Sequence, residues 1–257
     1  MLGLGRDKPG WQWAACGKHP LGKDYFRFYL NSPIQSAFAV WVDDGFAALP
    51  KNAGLRRAIC FWRFWAKGTK KGQLVCGLLK ASSDEIGRPY PLLIVGVGDC
   101  NGWEKNWESL PATLEATWRQ VEYIASKRFT NLKAMADAVH SLQAPGGDFP
   151  GDTDTVVHGF DPERGCPAGD TGYQGALAHV AHRLREEKAL LMPLDVDSRP
   201  HPPHGPLFWG TQLKKRDLNV PQAFFLGGTP GRTFLAVFAR SLHPADFVRL
   251  WRAGTDT

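Results

Sequence analysis

The sequence predicts an α/β fold in three layers, with a central β-sheet of mixed strand direction and helices on both faces. Three neighbouring segments, 58–65, 73–80 and 90–97, are rich in β-branched, aromatic and leucine side chains, which is typical of buried strands. Segments with helical spacing of their apolar residues lie before and after these strands. Because such helices and strands each have apolar surface to bury, they are expected to pack as layers.

Composition narrows the class of protein. The chain has 257 residues, of which 43% are hydrophobic, so it can bury a large core. No apolar run approaches the ~20 residues that a membrane span needs, and residues 1–10 lack the apolar region of a secretory signal. The cysteines are odd in number and form no C-x-x-C pair: Cys16, Cys60, Cys76, Cys100 and Cys166. We therefore expect reduced thiols and a cytoplasmic location.

The net charge of +6 is modest and does not by itself indicate a nucleic-acid-binding protein. Two basic clusters, 67–72 and 214–216, have the pattern of solvated turns. If these clusters have a partner, an acidic protein surface is favoured over nucleic acid or membrane.

The first part of the chain supplies a strand and a helix. Residues 11–17 alternate well enough to form the first strand. Ser32 followed by Pro33 is typical of a helix start. The predicted helix covers 33–48, with an apolar stripe made by Ile34, Ala37, Phe38, Trp41 and Val42.

The middle of the chain continues with strands and a helical hairpin. Residues 67–72 are predicted as the turn between the first two central strands. The third strand is expected to begin near Tyr90, because the prolines on either side of Tyr90 cannot donate a backbone hydrogen bond to a neighbouring strand. Helices are predicted at 110–126 and 130–143, the second beginning at Thr130 or Asn131. Their short connection indicates a hairpin that covers the sheet.

Residues 144–172 are rich in glycine, proline and aspartate, and they mark the predicted boundary between a core at 1–145 and an extension at 146–257. The extension is predicted to pack on the same sheet. It is expected to contain a helix at 175–191, two strands near 223–228 and 233–238, and a last helix that begins at His243.

The turn between the second and third central strands carries a recognisable motif. Residues 82–92 read Ser-Ser-Asp-Glu-Ile-Gly-Arg-Pro-Tyr-Pro-Leu. With Ser82 as the first position, this segment resembles the S-x-D-x-x-G-R-x-[FY]-P-L signature of the TagF (ImpM) family, which comprises accessory proteins of the bacterial type VI secretion system. Residues 207–210 are similar to a late aromatic segment of that family.

A second motif lies earlier in the chain. Residues 17–26 resemble the family's opening G-K-x-P and G-D-F pattern. The chain departs from that pattern in two places, since Lys23 separates Gly22 from Asp24, and Tyr25 replaces phenylalanine.

The resemblance implies a non-enzymatic, cytoplasmic repressor that acts after translation by binding the forkhead-associated (Fha) scaffold protein of the secretion system. From the residues themselves we expect no cofactor, no metal, no nucleic-acid partner and no membrane insertion, and the oligomeric state stays open. Charged residues of the two motifs are the candidates for partner contact: Lys23, Asp24, Asp84, Glu85 and Arg88. An ion pair that merely stabilises the turn is the simpler interpretation of Asp84 and Arg88.

An alternative function is a small metal-dependent hydrolase. It would use two histidine pairs, His179 with His182 and His201 with His204, together with acidic residues of the 144–172 loop. The loop lacks the spacing of a calcium site, and no carboxylate or cysteine spacing completes a recognised metal site. The glycines at 96 and 98 lack the third glycine of a dinucleotide loop. The regulator is therefore favoured over the hydrolase.

Overall fold

The computed structural model describes residues 10–51, 53–146, 180, 182–194, 206–215 and 219–253. Within these residues the chain forms an α/β fold around one eight-stranded sheet. The strands are β1 (Gln12–Gly17), β2 (Phe26–Phe28), β3 (Phe61–Lys67), β4 (Gln73–Lys80), β5 (Leu92–Asp99), β6 (Ala189–Pro193), β7 (Ala223–Thr229) and β8 (Arg232–Phe238). Their order across the sheet is β2-β1-β5-β4-β3-β7-β8-β6.

The predicted mixed strand direction is wrong, because every neighbouring pair in the described sheet is antiparallel. Short turns join β3 to β4, β4 to β5 and β7 to β8, and such turns produce antiparallel pairs. Where helices lie between two consecutive strands, those two strands are not neighbours in the sheet. The helices therefore do not make the crossover that a parallel pair of neighbouring strands requires.

The helices largely follow their apolar periodicity. They are α1 (Pro33–Ala47), the short α2 (Ala53–Arg56), a 3₁₀ helix (Trp103–Ser109), α3 (Leu110–Thr113), α4 (Glu115–Ser126), α5 (Leu132–His140), α6 (Pro206–Lys215) and α7 (Pro244–Arg252). The helix predicted at 110–126 is divided at Leu114 into α3 and α4. Helix α5 is capped by Asn131, whose side-chain oxygen accepts a hydrogen bond from the Ala134 N–H at 2.9 Å.

The helix predicted at 175–191 is wrong at its carboxyl end. Residues 182–186 are helical, but Ala189–Pro193 forms β6 and pairs with β8. Lys188 has a positive φ of 54°, which separates the helical residues from the strand. A short apolar run is ambiguous between helix and strand, and here pairing with β8 decides the outcome.

The core consists of two hydrophobic clusters. Along β1, Trp13 and Ala15 belong to one cluster and Ala14 and Cys16 to the other, as the two-residue period of a strand requires. The first cluster also contains apolar side chains of α3, α4 and α5, and the second contains those of α1 and α7.

The sheet order brings two loops together. Strand β1 pairs with β5, so that Gly17 at the end of β1 lies opposite Leu92 at the start of β5. The loop 18–25 leaves β1 at this edge, and the turn 81–91 enters β5 at the same edge. The two family-like motifs of the sequence are therefore neighbours in space.

Candidate functional site

The turn 81–91 is closed by its own backbone. The Asp84 N–H donates to the Arg88 carbonyl oxygen at 3.2 Å, and the Gly87 N–H donates to the Asp84 carbonyl oxygen at 3.0 Å. Ser83 and Pro89 form an isolated antiparallel bridge at its base. Gly87 has φ +80°, a conformation that glycine adopts without strain and other residues rarely do. These features give the turn a defined shape.

The Asp84 carboxylate is the centre of the site. Asp84 is only 1% exposed. Its Oδ2 accepts hydrogen bonds from Lys18 Nζ at 2.9 Å and from Arg88 Nε at 2.6 Å, while its Oδ1 accepts one from the Arg88 backbone N–H at 2.8 Å. Charge-assisted hydrogen bonds of this kind are among the strongest in proteins. The buried charge is therefore paired on both oxygens.

These partners set the protonation state of Asp84. Burial of the carboxylate raises its pKa, but the hydrogen bonds from Lys18 and Arg88 lower the pKa by more. The net pKa of Asp84 lies well below its ordinary value. The carboxylate is consequently ionised throughout the neutral range.

Arg88 connects the turn to the neighbouring loop. Its Nη2 donates to the Lys23 carbonyl oxygen at 2.7 Å and lies 3.8 Å from Asp24 Oδ1. The Glu85 N–H donates to the Gly22 carbonyl oxygen at 3.0 Å. The loop and the turn are thus held together by side-chain and backbone contacts.

The loop 18–25 and the turn 81–91 together form a double loop. All five candidate contact residues lie in this double loop. Four of them are exposed at its surface, namely Lys23, Asp24, Glu85 and Arg88. Asp84 lies beneath them and contacts Arg88. The exposed charges therefore lie above a buried carboxylate.

Lys18 is a site residue that the sequence analysis did not select. It occupies the second position of the opening G-K-x-P pattern, but its partner Asp84 is 66 residues away. Its side chain is 12% exposed, so it is almost as enclosed as the carboxylate that it contacts. The position of Lys18 in the motif could have marked it as a site residue. Its pairing with Asp84 could be found only from the order of the strands.

The two motif tyrosines form a second polar group nearby. The hydroxyl groups of Tyr90 and Tyr25 both donate to Asp43 Oδ1 on α1, the latter at 3.5 Å. Arg27 Nη2 lies 3.3 Å from Asp43 Oδ2. Burial is the main cause that raises the pKa of both tyrosines, so both stay protonated and act as donors. This group connects α1 to both loops.

The residues of the alternative metal site mostly lie outside the described part of the chain, including His179, His201, His204 and residues 147–172. His182 is described and exposed. In the described residues, no three His, Cys, Asp or Glu side chains are grouped so as to hold a metal ion. Burial raises the pKa of the thiols, to about 11 for Cys16 and about 12 for Cys60, so a thiolate nucleophile is disfavoured at both positions.

Across residues 10–253, leaving aside the stretches that are not described, no helix is long and apolar enough to cross a bilayer.

Comparison with known proteins gives a family and a fold. A family model described as the TagF N-terminal domain, type VI secretion system-associated, matches residues 14–144. The match includes both loops of the site. The crystal structure of PA0076 from Pseudomonas aeruginosa PAO1 is similar, with a TM-score of 0.52 over 95% of each chain. The two sequences are 16% identical, so this likeness concerns the fold alone. The comparison with curated proteins gave no match.

Proposed function

The chain belongs to the TagF family of type VI secretion system-associated proteins, and we propose that it is a non-enzymatic regulator of that system. It acts in the cytoplasm, after translation, and represses secretion by binding the forkhead-associated scaffold protein. The double loop formed by 18–25 and 81–91 contacts this partner.

One observation supports the double loop as the surface that contacts the partner. Lys23, Asp24, Glu85 and Arg88 present both signs of charge on one small exposed area. Asp84 and its hydrogen bonds hold that area in place before any partner arrives. A preformed charged surface lowers the conformational cost of binding and favours a partner with complementary charge.

Binding to the forkhead-associated protein from the same gene cluster tests the proposal. Lys23→Glu and Glu85→Lys reverse exposed charges whose side chains make no ion pair within the described residues. We expect each to weaken binding about tenfold while the melting temperature stays unchanged. Lys71→Glu, in the β3–β4 turn at the other end of β4, is the matched control and should leave binding unchanged.

Arg88→Glu tests whether Arg88 also supports the turn. This change places a second negative charge beside buried Asp84, so we expect it to lower both the melting temperature and binding. If Lys23→Glu and Glu85→Lys bind the scaffold protein as the parent does, the double loop is not the contact surface. If the parent protein does not bind the scaffold protein at all, the partner assignment is wrong.

The absence of catalysis is part of the same proposal. Native mass spectrometry of the purified protein should show no bound cofactor and no stoichiometric metal. A reproducible one-to-one zinc adduct that is lost in His179→Ala would favour the hydrolase instead.

The finer architecture is also a proposal. We propose three layers with helices on both faces of the sheet, which the two hydrophobic clusters support. We further propose a core at 1–145 with an extension at 146–257 packed on the same sheet, which is supported by the pairing of β7 with β3.

A further inference from the structure

A groove of about 1050 Å³ opens beside the double loop. Its walls come from four places in the chain: residues 19–21, residues 56–59, the end of β4 with the turn that follows it, and residues 125–129. The groove lies next to the proposed contact surface and shares the turn with it, but its lining residues are different ones.

The lining of the groove is strongly basic. Among the described residues that form it, none is Asp or Glu. The titratable side chains that line it are His19, Arg56, Arg57, Lys80, Lys127 and Arg128. A concave surface with one sign of charge concentrates ligands of the opposite sign.

Within the part of the chain that the structure describes, several of these cations have no ion-pair partner. Arg57 and Arg128 are exposed, and neither has an ion-pair partner within the described residues. Arg56 donates to the carbonyl oxygens of Pro50 and Leu49, which carry no charge.

Lys80 is half-buried at the groove. Its Nζ donates to the Ala125 carbonyl oxygen at 3.2 Å. Burial lowers the pKa of Lys80, and the negative charge of Glu122 raises it by less. The Glu122 carboxylate already binds Arg63 at 2.6 Å. The pKa of His19 is lowered by burial and then by the charge of Lys80, which is consistent with a positive potential in the groove.

The groove also offers apolar contacts at two places. Ile59 is 70% exposed and Ile86 is 69% exposed, and both line it. They are the two most exposed of the large hydrophobic residues in the described chain. Exposed isoleucines beside a basic groove point to a ligand that combines negative charge with an apolar side chain.

We propose that this groove binds an acidic peptide segment that carries an apolar side chain and belongs to a protein partner. The basic lining pairs with the carboxylates, and Ile59 and Ile86 contact the apolar side chain. Single-stranded nucleic acid is disfavoured because Phe129 is the one Phe, Tyr or Trp residue of the described lining, whereas such ligands stack on several aromatic rings. A membrane surface is disfavoured because the cations line a concave groove. The proposal does not require the partner to be the forkhead-associated protein.

The test uses the full chain and a fluorescein-labelled peptide of glutamates around a central leucine. A second peptide with glutamine in place of glutamate controls for charge. Fluorescence anisotropy should show binding of the glutamate peptide that weakens as salt is raised, because exposed charges are screened. The glutamine peptide should bind at least about tenfold more weakly.

A matched pair of double variants locates the site. Arg57→Glu with Arg128→Glu should weaken peptide binding by about tenfold or more, since two attractive charges become repulsive. Lys70→Glu with Lys71→Glu makes the same change in net charge at the other end of β4, about 26 Å away for an eight-residue strand. This control should change binding by less than about twofold if the groove is the site. Ile59→Ser with Ile86→Ser should weaken binding of the glutamate peptide without changing its salt dependence.

Four outcomes would overturn the proposal. The glutamine peptide could bind as tightly as the glutamate peptide, or the two charge-reversed variants could lose binding equally. The glutamate peptide could bind equally well after both isoleucines are replaced. Phosphatidylserine vesicles or single-stranded RNA could bind in an Arg57- and Arg128-dependent way while the peptide does not. Scaffold binding by Lys23→Glu and Glu85→Lys is measured separately, so failure of the groove proposal and failure of the double-loop proposal give different results.

Discussion

At the scale of single residues, the protein depends on buried carboxylates that are fully paired. Asp84 and Asp246 are each 1% exposed. Asp84 binds Lys18 and Arg88, whereas Asp246 makes two hydrogen bonds to Arg240, at 2.6 and 2.8 Å, and accepts a third from the His243 N–H. Removal of one member of such a group leaves the other charge buried without its partner. The two sites are therefore matched in chemistry and differ in location.

Asp84→Asn removes the charge at the double loop. We expect the melting temperature to fall by about 10 °C, since Lys18 and Arg88 both lose the carboxylate that they bind. Asp246→Asn should cause a similar loss of stability. Only Asp84→Asn should also weaken binding to the scaffold protein at a temperature where both variants are folded. Equal binding by the two variants would show that Asp84 has a structural role alone.

The contribution of Asp84 to stability should depend on pH. Its pKa in the folded protein is lowered, so the contribution is complete above the unfolded value of about 3.9 and is lost as the pH falls toward the folded pKa. The difference in melting temperature between the parent and Asp84→Asn should therefore be constant from about pH 7 to pH 5 and shrink below about pH 4. A difference that instead grows on acidification would contradict the lowered pKa.

The sequence could predict only part of this site. Asp84 and Arg88 are four residues apart in one turn, so their pairing could be predicted from the local sequence. The charged residues of the opening motif could be identified from the sequence as well. The link from Lys18 to Asp84 was not, because it exists only once β1 lies beside β5. Long-range contacts of this kind require the order of the strands, which no local pattern contains.

At the scale of elements, helix α1 is anchored to the sheet by a buried glutamine. The side chain of Gln35 donates to the Gln12 and Val95 carbonyl oxygens at 2.8 and 3.4 Å, and it accepts from the Ser32 N–H at 3.2 Å. It is fully enclosed. Gln35 thus joins the start of α1 to β1 and β5.

Gln35→Leu should destabilise the protein by about 1–3 kcal/mol, because it removes three hydrogen bonds from an enclosed site. Denaturant unfolding would measure the change. Gln120→Leu on the exposed side of α4 is the control and should change stability by less than about 0.5 kcal/mol. Unchanged stability in Gln35→Leu would mean that water replaces the lost hydrogen bonds.

Trp41 is buried in the middle of the same helix. It is 7% exposed, packs against the rings of Phe225 and Phe247, and donates from Nε1 to the His243 carbonyl oxygen at 2.9 Å. Trp41→Ala should cost about 3–5 kcal/mol in thermal or denaturant unfolding. Val40→Ala, at a neighbouring position that is 54% exposed, should melt like the parent. Similar losses in both variants would contradict this orientation of α1.

Elements with strong periodicity were predictable, and short apolar runs were not. Helix α1 begins at Pro33, as its sequence predicts, and three residues of the predicted stripe are buried, namely Phe38, Trp41 and Val42. Of the other two, Ile34 is half-buried and Ala37 is exposed. Residues 189–191 lie within the helix predicted at 175–191, yet they form part of the edge strand β6 because β8 offers backbone groups to pair with. Strand β2 is only three residues long, too short to give a pattern. Tertiary pairing therefore decides the structure wherever the local preference is weak.

At the scale of the whole molecule, the sheet continues from the segment that matches the family model into later residues. Strand β7 pairs with β3 over six residues, and β8 and β6 follow on its far side. Aromatic rings stack across this junction on both faces, with Trp65 against Phe224 and Phe64 against Phe225 at centroid distances of 5.4 and 5.5 Å. The strands before and after residue 145 thus share one core.

A fragment that ends at residue 146 should therefore not fold stably. It would expose β3 as an edge, with unpaired backbone groups and the fully buried side chains of Trp62, Phe64 and Trp65. We expect such a fragment to aggregate or to lack a cooperative thermal transition, as measured by sedimentation and calorimetry. Co-expression with residues 180–253 should restore a soluble complex, because the missing strands can pair with β3 from a separate chain. A soluble fragment that melts cooperatively by itself would show instead that the core at 1–145 is an independent folding unit.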